Sequence, residues 1–334
     1  MLRFIVRRLG QVIPTLLGLS ILLFIWLRAL PGGPETAILG ERGSAADRAA
    51  IRAQLGLDEP ILVQYGRFMT RLFRLDLGTS IATRRPVLEE FVARFPGTIE
   101  LAATAMLIAI TVGIPLGYLA ARHRGQLLDS LTVGGSMVGI CTPIFFLAFV
   151  LKVVFAENLG LFPTVGRQDP RVDATHITNF FVLDGLLTRE WDAAWDALMH
   201  LVLPGVAVAS IPLAVIVRIT RASVLEVLEE DYVRTAEAKG LTARVIRGRH
   251  ILRNAMLPVV TAMGLLAGGL LSGAVLTETV FGFTGIGAFV VNSIRLADYP
   301  VLMGFIMIIA FVFVLVNLVV DVSYSVIDPR VRVR

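Results

Sequence analysis

The chain has 334 residues, of which 56% are hydrophobic and 17% charged, with a mean hydropathy of +0.77. Soluble domains carry about a quarter charged residues, so this composition excludes an ordinary soluble domain and indicates a polytopic membrane protein. Lys and Arg exceed Asp and Glu by five, and no basic patch is interleaved with aromatics, so the balance fits basic loops at a membrane and not a nucleic-acid partner.

A bilayer core needs about 20 apolar residues per helix. Six runs meet that requirement, at 9–29, 99–121, 131–155, 199–220, 258–281 and 301–326. The first follows Arg3, Arg7 and Arg8 and is longer than the core of about 7 to 15 residues in a signal peptide, so it reads as an uncleaved span. Six spans put both termini on one side. Arg122, Arg124, the Arg-rich stretch after the fourth run and Arg330, Arg332 and Arg334 share the side of Arg3, Arg7 and Arg8, which the positive-inside rule makes cytoplasmic.

The segment 31–98 is then external, although it carries nine arginines; loops longer than about 60 residues are translocated largely regardless of charge. Ser44 is placed to cap a short helix closing at Gly56. Pro60 opens a second, with Ile61, Tyr65, Phe68, Met69 and Leu72 on one face. These amphipathic helices are expected either to lie on the outer surface or to cover the entrance of a pathway. The second external segment, 157–199, has seven acids against three arginines.

Within the spans, Gly113 with Gly117, Gly264 with Gly268 and Gly269 with Gly273 form small-xxx-small pairs, which predict close helix packing. Pro115, Pro143 and Pro212 predict kinks or breaks. Cys141, the single cysteine, is read as a small core residue. Ionisable groups sit near span ends: Lys152 is placed to snorkel to the interface, Asp321 lies near the inner end of the sixth span, and Glu278 is a weak candidate for substrate contact. His123, His176, His200 and His250 have no metal-ligand spacing, so no metal site is expected. Neither Gly282–Gly287 nor any other segment has the lysine and context of a phosphate-binding loop, so ATP hydrolysis by that mechanism is not expected in this chain.

The most distinctive segment is the charged stretch from Arg218 to Arg253, between two runs long enough to span. Val224, Leu228, Tyr232, Ala236 and Gly240 recur every four residues, which is one helix face. Gly240 suits a helix C-terminus and Thr242 an N-cap, giving helix, tight turn, helix. Arg234, Glu237, Lys239, Arg244, Arg247 and Arg249 project charge.

Along essentially its whole length the sequence resembles the B-type permease subunits of dipeptide, oligopeptide and nickel ABC importers. The resemblance is carried by Arg8–Pro14, Leu30-Pro-Gly-Gly-Pro34, Gln54–Pro60, Asp76-Leu-Gly-Thr-Ser80, Thr142-Pro-Ile-Phe-Phe146, Glu230–Gly240, Arg253-Asn-Ala-Met-Leu-Pro258 and Asp328-Pro-Arg330. It implies an all-α polytopic membrane protein with six transmembrane helices and the type I importer permease fold. The implied division is 1–30 for the N-terminus and first span, 31–98 for an external helical segment, 99–326 for a five-helix core with a cytoplasmic coupling loop at 221–257, and 327–334 for a cytoplasmic tail.

The resemblance further implies that Tyr232, Arg234, Thr235, Ala236, Glu237, Lys239 and Gly240 form the coupling loop that rests in a groove of an ATPase subunit. The implied partners are a second, C-type permease, two ATP-binding subunits that hold ATP and Mg, an extracytoplasmic peptide-binding protein and the lipid bilayer of a bacterial inner membrane. Arg234 and Thr235 stand where the general importer pattern has Glu and Ala, and the 17 residues between Gly240 and Pro258 form a longer spacer than that pattern. Gly33 replaces a frequent Asp, and Thr284 an expected Pro. Substrate alternatives within the resemblance are nickel and glutathione; a stand-alone channel or proton-coupled carrier is the reading from a different class.

Overall fold

The computed structural model describes residues 2–29, 39 and 44–327. The Leu30–Pro34 motif and the tail from Asp328, with Arg330, Arg332 and Arg334, lie outside the described residues. Regular structure among the described residues is helical, apart from one isolated bridge between Thr79 and Pro86.

In chain order, α1 (Leu2–Ala29) is followed by α2 (Ala45–Leu55) and α3 (Ile61–Phe73). α4 (Val87–Arg122) is continuous through Pro96 and Pro115. α5 (Leu127–Cys141) and α6 (Ile144–Leu151), the latter prolonged by a π-helical turn to Asn158, come next. α7 (Phe181–Thr188), α8 (Trp191–Leu228), α9 (Asp231–Ala238), α10 (Arg253–Val280), α11 (Ile286–Arg295) and α12 (Tyr299–Ile327) complete the chain.

Among the described residues, five helices are long and apolar enough to cross a membrane, and a sixth span requires α5 and α6 together, which meet at an angle of 105°. The run 131–155 is therefore bent sharply at Pro143, one of the three prolines that predicted a kink or break. Thr142 has ψ 124°, outside the helical range, and Pro143 supplies no N–H to continue the ladder. Pro115 and Pro212, by contrast, stay inside unbroken helices, as neighbouring helices allow in a membrane. α7 and α11 carried no sequence expectation, being too short for an apolar-run count.

The described residues form two compact units, those within Met1–Pro96 with Gly285–Leu318, and those within Gly97–Thr284 with Val319–Arg334. In the first, Ser44 caps α2 in a reciprocal box with Asp47, and Gly56 ends it in the left-handed region. The apolar face of α3 packs through Phe68 and Leu72 against Leu23 and Leu27 of α1 and Met303 and Met307 of α12. Gln64, buried on α3, accepts two hydrogen bonds from Arg28 and donates to the Leu57 and Glu59 carbonyls. The Asp76–Ser80 motif is a structural turn, because the buried Asp298 carboxylate receives the Ser80 hydroxyl at 2.5 Å and the Ala82 N–H at 3.1 Å. Buried Glu90 pairs with Arg94, whose guanidinium lies over Phe289.

The second unit is organised around α8, half of whose residues are buried. Gly113 and Gly117 bring α4 close to it: a Cβ on Gly117 would stand 2.6 Å from the Val217 carbonyl oxygen and 2.7 Å from the Thr220 Cβ. Gly269 is exposed in this chain, and a Cβ there would meet nothing within 4 Å; the side-chain position of its pair mate Gly273 lies outside the described residues. Cys141 is also exposed and not a core residue, since α5 buries little besides its first turn. Lys152 does not simply snorkel; it donates to the Val280 carbonyl at the end of α10, at 3.0 Å, where a cation complements the helix dipole.

Gly117→Ala is expected to destabilise the solubilised protein by about 1–3 kcal/mol, since backbone must shift to admit the methyl. Gly134→Ala, with nothing within 4 Å of its Cβ, is expected to leave the thermal unfolding midpoint unchanged or raised. Equal effects of the two substitutions would contradict the packing assigned to α4 and α8.

Candidate functional site

α9 is short, and five of its residues are polar or charged. Two side chains anchor it. Val233 and Ala236 are buried in a cluster with Val224 of α8, Ala121 of α4, Ile246 and Ile251 of the following π-helical turn, and Ala255 of α10. α9 is thus seated on the ends of three long helices, with its charged side turned out. The seat is small and apolar, so it holds by burial and not by ion pairs.

The spacing-four stripe does not lie on one helix. α8 stops at Leu228, Glu229 and Glu230 make the turn, and α9 restarts at Asp231, so the register changes and Val233 takes the buried position that the pattern gave to Tyr232. Tyr232 is exposed at its ring, but its hydroxyl accepts from Asn254 Nδ2 at 2.9 Å, and the same amide donates to the His250 carbonyl at 2.9 Å. It thereby ties α9 to α10. The Thr235 hydroxyl turns back to the Asp231 carbonyl at 2.8 Å. Arg234, Glu237 and Lys239 are exposed, as are Arg244, Arg247 and Arg249.

Gly240 ends the segment with φ +71°, in the left-handed region, and its N–H bonds to the Glu237 carbonyl at 2.9 Å. A Cβ there would meet nothing within 4 Å. Thr242 has the extended backbone of an N-cap, but its side chain makes no cap hydrogen bond. The helix that follows is a single turn that loosens into π geometry from Ile246 to Leu252 before α10 begins.

Glu278 is fully buried near the end of α10 and accepts from the Thr98 hydroxyl at 2.6 Å. Close to it lies a group that sequence inspection missed. Arg167, 4% exposed at its side chain, reaches Glu100 at 2.8 Å and the Asn179 carbonyl at 2.7 Å. Its guanidinium stacks 3.8 Å from the Phe181 ring centre. Burial lowers the Arg167 pKa, and the hydrogen bond and charge of Glu100 oppose that, helped by the charges of Glu278 and Asp184. Gly97 makes room for it: a Cβ there would stand 2.9 Å from the guanidinium carbon. Residues 67 apart leave no local signal, so nothing in the sequence marked this pair.

Asp184 organises the adjacent loop by accepting from the Ile177 N–H and from the N–H and hydroxyl of Thr178. Burial raises its pKa, but these hydrogen bonds outweigh burial, and the net value lies below the ordinary 3.8. An open cleft of about 790 Å³ lies nearby, lined by Gly160–Val165, Asp169, Arg171, Trp195, Asp196 and His200 among others. Among the described residues, no three or more His, Cys, Asp or Glu side chains are grouped to hold a metal.

Residues 113–333 match the family described as "binding-protein-dependent transport system inner membrane component", and residues 1–102 match its N-terminal companion. The chain is 45% identical over 336 residues to the dipeptide transport system permease protein DppB of Escherichia coli (strain K12), covering 99% of each. It is 43% identical over 332 residues to the protein of that name from Alkalihalophilus pseudofirmus, covering 99% of this chain and all of the other. To the glutathione transport system permease protein GsiC of Salmonella paratyphi A it is 38% identical over 332 residues, 99% of each.

Arg167→Met would leave the buried Glu100 carboxylate with the Val182 N–H but no countercharge, at an expected cost of about 3–5 kcal/mol, and adding Glu100→Gln is expected to recover part of it in thermal unfolding. For Asp184 the pKa is depressed on folding. Its contribution is therefore fully present above the ordinary value of 3.8 and lost as pH falls through the lower, folded value. Hydrogen-exchange protection of the Ile177 and Thr178 amides, corrected for intrinsic rate, is expected to be flat from pH 7 to about 5 and to fall only in the acid range. Loss of protection between pH 7 and 5 would contradict the assignment.

Proposed function

This chain belongs to the family of binding-protein-dependent transport system inner membrane components, and on that premise we propose that it is the subunit through which an ATP-driven importer passes short peptides across a bacterial inner membrane. The family carries the all-helical, six-span type I permease fold. Full-length identity of 43–45% to two dipeptide permeases, against 38% to a glutathione permease, favours di- and oligopeptides as the substrate class.

The observation that carries the mechanism is the seating of α9. A short helix with an exposed charged side, held by Val233 and Ala236 to the ends of α4, α8 and α10, is a lever on three spans at once. A partner that moves α9 moves those spans. ATP and Mg bind on that partner, an ATPase subunit, which contacts the exposed side through Tyr232, Arg234, Thr235, Glu237, Lys239 and Gly240, while Ala236 belongs to the seat. Two ATPase subunits, a second permease of the C type and an extracytoplasmic peptide-binding protein complete the assembly. Both termini, with residues 221–257 and 327–334, lie in the cytoplasm, and residues 31–98 lie outside between the first span at 1–30 and the core at 99–326. Alternating access then follows as ATPase closure, transmitted through α9, opens the path to the outside and its release opens the path inward.

Two outcomes test this reading. Purification of the tagged protein from native membranes in mild detergent is expected to recover a second permease, ATP-binding subunits and a solute-binding protein carrying peptide; a lone, stable protein would favour a channel or carrier. Gly240→Trp costs about 1–2 kcal/mol of left-handed strain, but its Cβ would meet nothing within 4 Å and the residue is exposed. It is therefore expected to leave the protein folded and inserted, with ATP hydrolysis retained and uptake lost. Unimpaired uptake in that variant would overturn the coupling role of the segment.

A further inference from the structure

α5 is an apolar helix whose one buried side chain is a carboxylate. Of its 15 residues only Asp129 is buried, while Leu127, Leu131, Met137 and Val138 on the same helix are exposed. Side-chain burial therefore contributes little to fixing α5 against the rest of its unit, and a buried carboxylate persists only with a partner. The partner is Arg221 of α8. Its Nε donates to one Asp129 oxygen at 2.6 Å and its Nη2 to the other at 2.8 Å, the fork-on-fork geometry that fixes direction as well as distance. Asp129 is 8% exposed and Arg221 27%, so water competes little for the bond.

The same carboxylate holds the turn before α5. The Gly125 N–H donates to Asp129 at 3.0 Å, with Gly125 at φ +77°. A second, exposed pair joins Arg124 of this turn to Glu229 at 3.2 Å, at the junction where α8 gives way to α9. One helical turn beyond Arg221 stands Val224, fully buried against Val233 and Ala236 of α9 and Ala121 of α4. The seat of α9 and the anchor of α5 are therefore adjacent turns of one rigid helix. At its other end α5 meets the 105° break before α6, where the chain pivots at Thr142 and Pro143.

We propose that the Asp129–Arg221 pair is the positioning link that passes movement of the coupling helix to the first half of the broken third span. The proposal rests on the coupling role of α9 given above. A bidentate pair suits this task because it carries both push and rotation, whereas an apolar contact slides. Asp129 and Arg221 touch neither substrate nor nucleotide in this role; they act through α5.

The test uses the whole importer, with its ATPase subunits and binding protein, reconstituted in liposomes, and reads dipeptide uptake and ATP hydrolysis on the same vesicles. In Asp129→Asn and in Arg221→Lys, uptake is expected to fall by about tenfold or more while hydrolysis stays within about twofold, a change in ATP consumed per peptide that lost folding would not produce. The exchange Asp129→Arg with Arg221→Asp is expected to bring uptake back to within about threefold of the unaltered complex. Normal uptake in both single variants would overturn the proposal, as would uptake and hydrolysis falling together. If Asp129→Asn does not assemble, Arg221→Lys, which keeps the charge and loses the fork, is read alone; failure of both to assemble makes the pair purely structural and overturns the proposal. An unaltered complex that hydrolyses ATP without importing peptide would overturn the importer reading itself, which separates that failure from a failure of the pair.

Discussion

The second unit depends on how closely α4 and α8 approach. Gly113 and Gly117 let the α4 backbone reach the Ile216 side chain and the Val217 carbonyl, and Gly205 on α8 receives Thr104 and Ile108 in return. In lipid there is no solvent-driven gain from pressing apolar helices together, so contact of this kind, with small residues facing backbone, is what holds them. α8 thereby becomes a stiff axis, buried on most sides, and what touches its ends is coupled to what touches its middle.

Charge is placed on that axis sparingly and at its two ends. One end has the Arg167 and Glu100 pair with Asp184 and its loop, held by fixed donors and acceptors although the buried Arg167 Nε makes no hydrogen bond. The other has Arg221 and Asp129, and beyond them the exposed arginines of the charged stretch that follows α8. The first cluster is enclosed by aromatic rings and a glycine-lined gap, a construction that resists movement. The second fastens a helix on which no other side chain is buried, the arrangement that the proposed transmission requires. The difference lies in what surrounds each pair more than in the pair itself.

Much of this was readable in the chain. The apolar runs located the spans, Ser44 and Gly56 marked both ends of α2, and Gly240 marked the end of α9, because each rests on a local rule of length, capping or handedness. The break at Thr142–Pro143 was only half readable: the proline was evident, but Pro115 and Pro212 looked the same and sit in intact helices, since tertiary neighbours decide whether the lost hydrogen bond is replaced. The stripe through Tyr232 misled because a two-residue turn at Glu229 and Glu230 resets the helical register, and polar residues there did not announce it. Arg167 with Glu100 and Arg221 with Asp129 were invisible, since pairs 67 and 92 residues apart leave no periodic trace.

The central claim is that force enters the membrane through α9. A photo-crosslinking amino acid in place of Arg234, on the exposed side of that helix, tests it in the assembled importer in native membranes. The account predicts a covalent adduct with the ATP-binding subunit, identified by mass spectrometry, and none from the same probe at Leu131 on α5. Adducts at Arg234 with lipid alone, or with the ATP-binding subunit from both positions alike, would contradict it.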